Sequence, residues 1–222
     1  MVTSTPPALV AQLHADEAAL ATAITAWAGN GTTPATVVKL AVDRERLMRQ
    51  IALAKQSSTA VLKLAPDETD DVKAERDLLK LGRSTPPPKG QIELRPAPPA
   101  TKLLGWYQEA QQRFGVRWQL LAAINFIESA FGRVRNESGD GAQGPMQFEP
   151  ATWKAYGLGG NIHDTRDAIM GAANYLAANH GSTDERTALF HYNPSPLYVD
   201  AVLHYAHRIA HVPTAFLEYY AR

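Results

Sequence analysis

The sequence predicts an all-α protein in which a larger helical lobe follows a small helical N-terminal unit. Apolar residues recur at helical spacing along most of the 222 residues, and no run keeps the alternation of a strand. Proline and glycine stand at the ends of the apolar segments, where helices begin and end. The length allows one large domain or two small ones, because domains usually have about 100–200 residues.

The composition excludes several classes of function. Basic and acidic residues both number 22, so the formal net charge is zero and no basic surface for nucleic acid is expected. The absence of cysteine excludes disulfides, thiolate metal sites and a cysteine nucleophile. No segment reaches the ~20 apolar residues of a membrane span, and the beginning of the chain has no signal-peptide pattern. We therefore expect either a cytosolic protein or the trimmed mature form of an exported one, with a neutral or carbohydrate substrate.

Residues 1–83 predict three or four helices folded on one another. Pro6 suits the first turn of one helix, and Gly29 follows its apolar pattern. Pro34 is a second start signal, because proline is favoured at the first helical position. Pro66 begins a last helix with acidic residues in its first turn and basic residues near its end, an order that complements the helix dipole.

Residues 84–100 predict a connector. Six of these 17 residues are proline, so the segment cannot be a helix and is expected to be extended and polyproline-like. It divides the chain into an N-terminal helical unit, residues 1–83, and a second lobe, residues 101–222.

Helical patterns return after the connector. The predicted helices have the sequences TKLLGWYQEAQQRFG, VRWQLLAAINFIESAFG, PATWKAYG, TRDAIMGAANYLAANHG, DERTALFHY and SPLYVDAVLHYAHRIAH. Asp164 and Ser195 stand where two of these helices need N-caps. A loop at 132–149 interrupts this otherwise helical lobe.

Glu128 lies on the apolar face of its predicted helix. Counting back three, four and seven residues from Glu128 reaches Asn125, Ile124 and Leu121. A carboxylate on such a face is costly unless it is paired or protonated. Most glutamates at a helix end are simply solvated, but a carboxyl group in an apolar pocket can act as a general acid near neutral pH.

The following loop, GDGAQGPMQF, ends with apolar residues that a free surface turn would not usually carry. Met146 and Phe148 predict that the loop folds back over the core beside Glu128. Gln147 lies between them and offers a planar amide that can bind sugar hydroxyl or acetamido groups.

The segment FHYNPSP places Tyr192 and Asn193 directly before a capped helix. Asn193 alone would be a turn residue before Pro194, but an aromatic and an amide side chain at a helix entrance also suit a saccharide groove. The histidines of this half are expected on helix surfaces or in the core, because no group of His, Asp and Glu has metal-site spacing.

Four motifs occur in order over roughly residues 101–209: AINFIESAFGR, ESGDGAQGPMQFEPATWKAYG, DAIMGAANYLAANHG and ALFHYNPSPLYVDAVLHYA. Together they resemble the lysozyme-like catalytic domain of lytic murein transglycosylases, in particular the branch with a GPMQF loop. Residues 1–83 carry no comparable resemblance.

The resemblance implies a lysozyme-like α-helical fold, the glycan strand of peptidoglycan as substrate, and no cofactor. It implies that Glu128 is the single catalytic acid/base, that Asn193 orients its carboxyl group and that Ser138 forms a hydrogen bond near it. The positions that match substrate-binding residues are Ser138, Gln147, Tyr175, Tyr192 and Asn193.

Some relatives carry a calcium loop after the short helix that follows GPMQF. The corresponding segment here reads AYGLGGNIHD, in which Asp164 is the one carboxylate. Calcium usually takes six to eight oxygen ligands, so we expect no metal at this place.

The implied reaction cleaves the bond between N-acetylmuramic acid and N-acetylglucosamine and leaves a 1,6-anhydromuramyl end. Two alternatives stay open at this point. A hydrolytic muramidase would need a second carboxylate, for which Asp140 or Glu137 are the candidates. A non-catalytic glycan-binding or interaction module would rely on residues 1–83. In each case we expect a bacterial or phage-borne protein that works in the cell envelope or outside the cell.

Overall fold

The computed structural model describes residues 5–53, 55–83 and 90–222, and it confirms the all-α fold class. Its α-helices are α1 (Pro6–Trp27), α2 (Ala35–Leu53), α3 (Lys55–Leu64), α4 (Thr69–Leu81), α5 (Ala100–Phe114), α6 (Trp118–Ser129), α7 (Pro150–Tyr156), α8 (Thr165–Ala178), α9 (Glu185–Tyr192), α10 (Pro196–His211) and α11 (Ala215–Tyr220). A 3₁₀ turn, Pro66–Glu68, precedes α4. Within these described ranges, β-structure is limited to two isolated bridges.

The predicted caps set the ends of the helices. The side chain of Asp164 accepts a hydrogen bond from the backbone N–H of Asp167 at the start of α8. Ser195 does the same for the N–H of Tyr198 at the start of α10, with Pro196 in the first turn. These caps satisfy backbone donors that a helix leaves open at its beginning.

The N-terminal unit has a small apolar core of its own and also contributes to a larger one. The small core consists of Val10, Leu13, Leu47, Met48, Ile51, Ala52, Val61, Ala65 and Val72. The larger core joins Leu20, Ile24 and Trp27 of α1 to the helices of the second lobe. The main packing between the two parts is that of α4 against α10.

Buried ion pairs cross this packing surface. Arg44 donates to Asp71 and to Glu68, each at 2.7 Å. From the side of α10, Nε of Arg208 lies 3.3 Å from Oδ2 of Asp71, and Nη1 of Arg208 donates to Glu218 at 2.6 Å. The side chains of Arg44, Asp71 and Arg208 are at most 3% exposed. We call these five residues the interface ion network.

Two histidines of α10 add to the same surface. Nδ1 of His204 lies 2.7 Å from Asp70 on α4, and Nδ1 of His207 lies 2.5 Å from it. His204 and His207 therefore link α10 to α4 from the surface of α10, where the sequence predicted histidines.

The described part of the connector begins at residue 90 with a bend and is not helical before Ala100. Leu94 forms an antiparallel bridge with Val134, and the N–H of Arg135 donates to the carbonyl of Glu93 at 3.0 Å. Residues 84–89 of the predicted connector lie outside the described residues. Helix α5 begins at Ala100, which we had assigned to the connector. The division into an N-terminal unit, a connector and a catalytic lobe as separate folding units stays a proposal.

None of the helices in the described part of the chain is both long and apolar enough to cross a bilayer.

Candidate functional site

Helix α6 carries Glu128 to the edge of the core. Leu120, Leu121 and Ile124 of α6 are fully buried, so this face of the helix is fixed against its neighbours. The helix ends at Ala130, which takes a left-handed conformation with φ 49°. Glu128 thus lies in the last turn of a rigid helix and is itself only partly exposed.

Tyr198 is the hydrogen-bond partner of Glu128. Its hydroxyl donates to Oε1 of Glu128 at 2.5 Å, and the tyrosine is 1% exposed. Burial raises the pKa of Glu128 from its ordinary value of 4.5 to about 7, although the Tyr198 hydrogen bond acts in the opposite direction. A carboxyl group with this pKa is present in both protonation states at neutral pH, as a group that both donates and accepts a proton requires.

The loop after α6 folds back over the core, as predicted from its apolar residues. Met146 is fully buried and Phe148 is 4% exposed. Two side chains of α6 hold the loop by its backbone, because Asn125 and Ser129 both donate to the carbonyl of Pro145, at 2.8 and 2.6 Å.

A glycine is required where this loop meets the segment before α8. Gly144 has φ +75°, and a Cβ atom on it would lie 1.9 Å from the carbonyl oxygen of Ile162. Any other residue would push the two backbones apart and displace the loop.

Gln147 has an unusual backbone conformation, with φ 47°. A side chain in the left-handed region costs about 1–2 kcal/mol, and such strain is often found at functional sites. Its side-chain Nε2 donates to the carbonyls of Gly144 and Asn136, at 3.0 and 3.2 Å, which fixes the amide beside the loop.

Aromatic residues from four elements gather around Phe148 and Tyr175. Phe148 packs edge-on against Trp153, Tyr175 and Tyr192, and Tyr175 also packs against Tyr156. Tyr192 donates from its hydroxyl to the carbonyl of Met146 at 2.5 Å, and Tyr175 donates to the carbonyl of His191 at 2.8 Å. The structure therefore brings the predicted residues Tyr175 and Tyr192 together around Phe148, which follows Gln147 in the chain.

Ser138 and Asn193, unlike Tyr198, form their hydrogen bonds away from the Glu128 carboxyl group. The Ser138 hydroxyl accepts a hydrogen bond from the N–H of Ala142 at 2.9 Å and so closes the loop on itself. Asn193 ends α9, where its backbone N–H bonds to the carbonyl of Leu189. Neither is directly hydrogen-bonded to Glu128, whose partner is Tyr198. A contact of Ser138 or Asn193 through one water stays a prediction.

The two loop carboxylates do not pair with Glu128. Glu137 accepts a hydrogen bond from Gln143 on the exposed side of the loop, and Asp140 is exposed. Burial and the Tyr198 hydroxyl account for the pKa of Glu128, with no contribution from a second carboxylate.

No group of three or more His, Asp and Glu side chains in the described part of the chain is arranged to hold a metal ion. The predicted absence of calcium is not tested by this observation and stays a prediction.

Comparison with known families identifies the part of the chain that contains this site. Residues 106–208 match the family model of the transglycosylase SLT domain. This segment is similar to the transglycosylase SLT family. Glu128, Tyr198 and the aromatic surface all lie within the SLT domain, and the recognition of a lytic transglycosylase domain from the sequence motifs is confirmed.

One curated protein shows a more local similarity. The membrane-bound lytic murein transglycosylase F of Thiobacillus denitrificans is 38% identical over 71 residues, which is 32% of this chain and 15% of that protein. The chain thus spans only a small part of this relative's length. No solved structure matches the chain significantly. Residues 1–105 and 209–222 lie outside the SLT match.

Proposed function

We propose that the protein is a peptidoglycan lytic transglycosylase that uses Glu128 as its single acid/base. The observation that carries this proposal is the carboxyl group of Glu128, which is half-buried, accepts a hydrogen bond from one tyrosine, and has a pKa raised to about 7 by burial. The SLT domain around it supports peptidoglycan as the substrate.

The proposed reaction has two proton transfers through Glu128. The protonated carboxyl group gives its proton to the glycosidic oxygen between N-acetylmuramic acid and N-acetylglucosamine, and the C1–oxygen bond breaks. The acetamido group of the muramyl sugar stabilises the positive charge that develops at C1. The ionised carboxylate then takes the proton of the 6-hydroxyl of the same sugar, whose oxygen bonds to C1. The product is a 1,6-anhydromuramyl end, and no water is consumed.

Tyr198 suits both steps of this scheme. Its hydroxyl donates to one carboxylate oxygen and leaves the other free to transfer the proton. Burial raises the pKa of the Tyr198 phenol well above 10, and the nearby charge of Glu128 adds to this effect, so the phenol stays protonated while Glu128 titrates.

The remaining predicted residues are proposed to bind the glycan. Gln147 would hydrogen-bond to the sugar, while Tyr175 and Tyr192 would form the aromatic wall of the groove. Ser138 and Asn193 are proposed to contact substrate or Glu128 from the loop and from the end of α9. Aromatic faces and planar amides are side chains that suit sugar rings with acetamido substituents.

A hydrolytic muramidase on the same fold is the alternative, and its second carboxylate would be Asp140. Asp140 is exposed and does not contribute to the pKa of Glu128, which favours the transglycosylase. A non-catalytic glycan-binding module does not require a half-buried carboxyl group whose pKa is raised to about 7.

Product analysis distinguishes the transglycosylase, the muramidase and the non-catalytic module directly. Purified glycan strands would be digested with the protein, and the fragments analysed by mass spectrometry. We expect 1,6-anhydromuramyl ends. Reducing ends would establish the muramidase, and the absence of any released fragment would overturn the enzymatic proposal.

We also propose that the protein works in the cell envelope, where peptidoglycan is found. Fractionation of cells that express it, followed by immunodetection, tests this placement; detection in the cytosolic fraction alone would contradict it.

A further inference from the structure

Asn136 joins the connector to the loop that carries Gln147. Its side-chain Oδ1 accepts a hydrogen bond from the N–H of Glu93 at 2.7 Å, and its Nδ2 donates to the carbonyl of Gln91 at 2.7 Å. The Asn136 amide thus accepts one hydrogen bond from the connector backbone and donates one to it, as a neighbouring β-strand does.

The backbone of the same residue contacts the proposed substrate-binding amide. The carbonyl of Asn136 accepts a hydrogen bond from Nε2 of Gln147 at 3.2 Å. The other acceptor of the same Nε2 is the carbonyl of Gly144 at 3.0 Å, so the two carbonyls together hold the side chain. The direction of the Gln147 amide therefore depends on where the Asn136 carbonyl lies.

We propose that Asn136 is a positioning residue that uses the connector to orient the Gln147 amide toward the glycan. This inference rests on the proposed function, and it gives the backbone groups of Gln91 and Glu93 a part in holding that amide. The connector itself is fixed on the same side by the Leu94–Val134 bridge and by the bond from Arg135 to Glu93. Because the connector backbone is held in this way, its two hydrogen bonds to Asn136 fix the position of Asn136.

The chemistry of the contact explains why an asparagine fits this position. One donor and one acceptor are needed at the same time, because the partners are a carbonyl and an N–H of the connector. Aspartate keeps the acceptor for Glu93 but places a negative charge against the carbonyl of Gln91. Alanine removes both bonds and leaves the loop free to move away from the connector.

The experiment measures glycan binding in the Glu128→Gln background, in which turnover does not interfere. The probe is an un-cross-linked glycan tetrasaccharide of alternating N-acetylglucosamine and N-acetylmuramic acid, and the readout is its Kd by calorimetry. We expect Asn136→Ala and Asn136→Asp to weaken binding by roughly five- to tenfold, the loss of about one well-placed hydrogen bond. Thermal unfolding of each variant by circular dichroism verifies that it is folded.

A double-mutant cycle separates this role from a general structural one. If Asn136 acts through Gln147, Asn136→Ala should have no further effect on Kd once Gln147→Ala is present. Full additivity of the two substitutions would overturn the proposal, as would an unchanged Kd in both Asn136 variants. If Asn136→Ala does not fold, Asn136→Asp provides the same comparison.

A connector substitution serves as the matched control. Ile92 lies between the two contact points, and its side chain is 64% exposed, so Ile92→Thr leaves both bonds to Asn136 in place. Its Kd should equal that of the Glu128→Gln parent. If the Glu128→Gln parent itself fails to bind the tetrasaccharide, the proposed function fails, whereas a parent that binds and Asn136 variants that bind equally well contradict only the present inference.

Discussion

Glu128, which is half-buried, and Asp71, which is fully buried, are two carboxylates that touch the same helix and have opposite properties. Glu128 meets α10 at Tyr198, whereas Asp71 meets it at Arg208. Burial alone would raise the pKa of both groups. It does so for Glu128, but Arg208 and Arg44 reverse the effect at Asp71 and hold its pKa well below the usual range.

The difference shows that α10 stabilises the fold at one turn, through Arg208, and contacts the candidate catalytic residue at another, through Tyr198. A carboxylate paired with two arginines stays ionised and joins structural elements. A carboxyl group with a single neutral donor keeps its proton near neutral pH and can give it away. The same burial therefore produces a structural anchor in the interface ion network and a candidate catalyst in the SLT domain.

The largest expected effect comes from removing the whole N-terminal side of the interface ion network. Residues 98–222 expressed alone would keep Arg208 but lose Asp71. The fragment loses the Asp71–Arg208 pair together with the apolar packing of α1 and α4, and burying one large apolar side chain alone contributes about 1.5–3 kcal/mol. We expect the fragment to fold with a free energy of unfolding reduced by at least this amount, measured by urea denaturation.

Arg208→Met in the fragment is the matched control. Arg208 keeps its hydrogen bond to Glu218 in the fragment, so Arg208→Met should lower the stability of the fragment further. A fragment as stable as the full chain would show that the interface contributes nothing. A fragment without helical circular dichroism at low temperature would contradict the proposal of two semi-independent units.

Glu128→Gln gives the next largest effect. The amide keeps the shape of the side chain and removes the transferable proton, so turnover of peptidoglycan should fall by about 10²–10⁴-fold. The same charge change in the exposed loop, Asp140→Asn, should leave turnover at the wild-type level. Release of muropeptides at the wild-type rate by Glu128→Gln would remove Glu128 from the mechanism, and a loss in Asp140→Asn would favour the muramidase.

Asp71→Asn tests the structural side of the comparison. Arg44 and Arg208 would be left buried without their shared carboxylate, and the free energy of unfolding should fall by about 3–5 kcal/mol. The matched control is Asp43→Asn, which breaks an exposed pair with Lys39 on α2 and should have no measurable effect. Equal stability of the two variants in urea would mean that the interface ion network is not a stabilising element.

Much of the fold could be predicted because local signals were consistent. Proline, glycine and N-cap residues marked most helix ends, and Asp164 and Ser195 act as predicted. Helix α11 was missed, because its six residues are too few to show a period. Its burial depends on Phe216 and Tyr220 packing against Phe131, a contact between distant parts of the chain.

The site was predictable in part for the same reason. Glu128 on an apolar face and two apolar residues in a glycine-rich loop were visible locally. Tyr198 is 70 positions away from Glu128 and looked like one more core residue of α10. The one signal that could have identified it is that a buried tyrosine hydroxyl needs a hydrogen-bond partner.

The interface ion network could not be predicted from the sequence. Arg44 and Asp71 stand among other charged residues of α2 and α4, where charges usually form a solvated face. Only the packing of α4 on α10 shows that these particular side chains are buried and paired.

The smallest expected effect is that of Tyr198→Phe, which removes the one donor to the Glu128 carboxyl group. Because the hydroxyl stabilises the ionised form, its loss should raise the pKa of Glu128 further above 7. The general acid must be protonated, so kcat/KM of the wild type should be flat at low pH and fall as pH rises through about 7. In Tyr198→Phe this fall should move to higher pH, while kcat at pH 6 drops by roughly tenfold because the carboxyl group is less well oriented.

Tyr205→Phe is the matched control, since its buried hydroxyl donates to Glu75 at 2.8 Å and not to Glu128. A pH profile that shifts equally in both variants, or in neither, would show that Tyr198 does not set the protonation of Glu128.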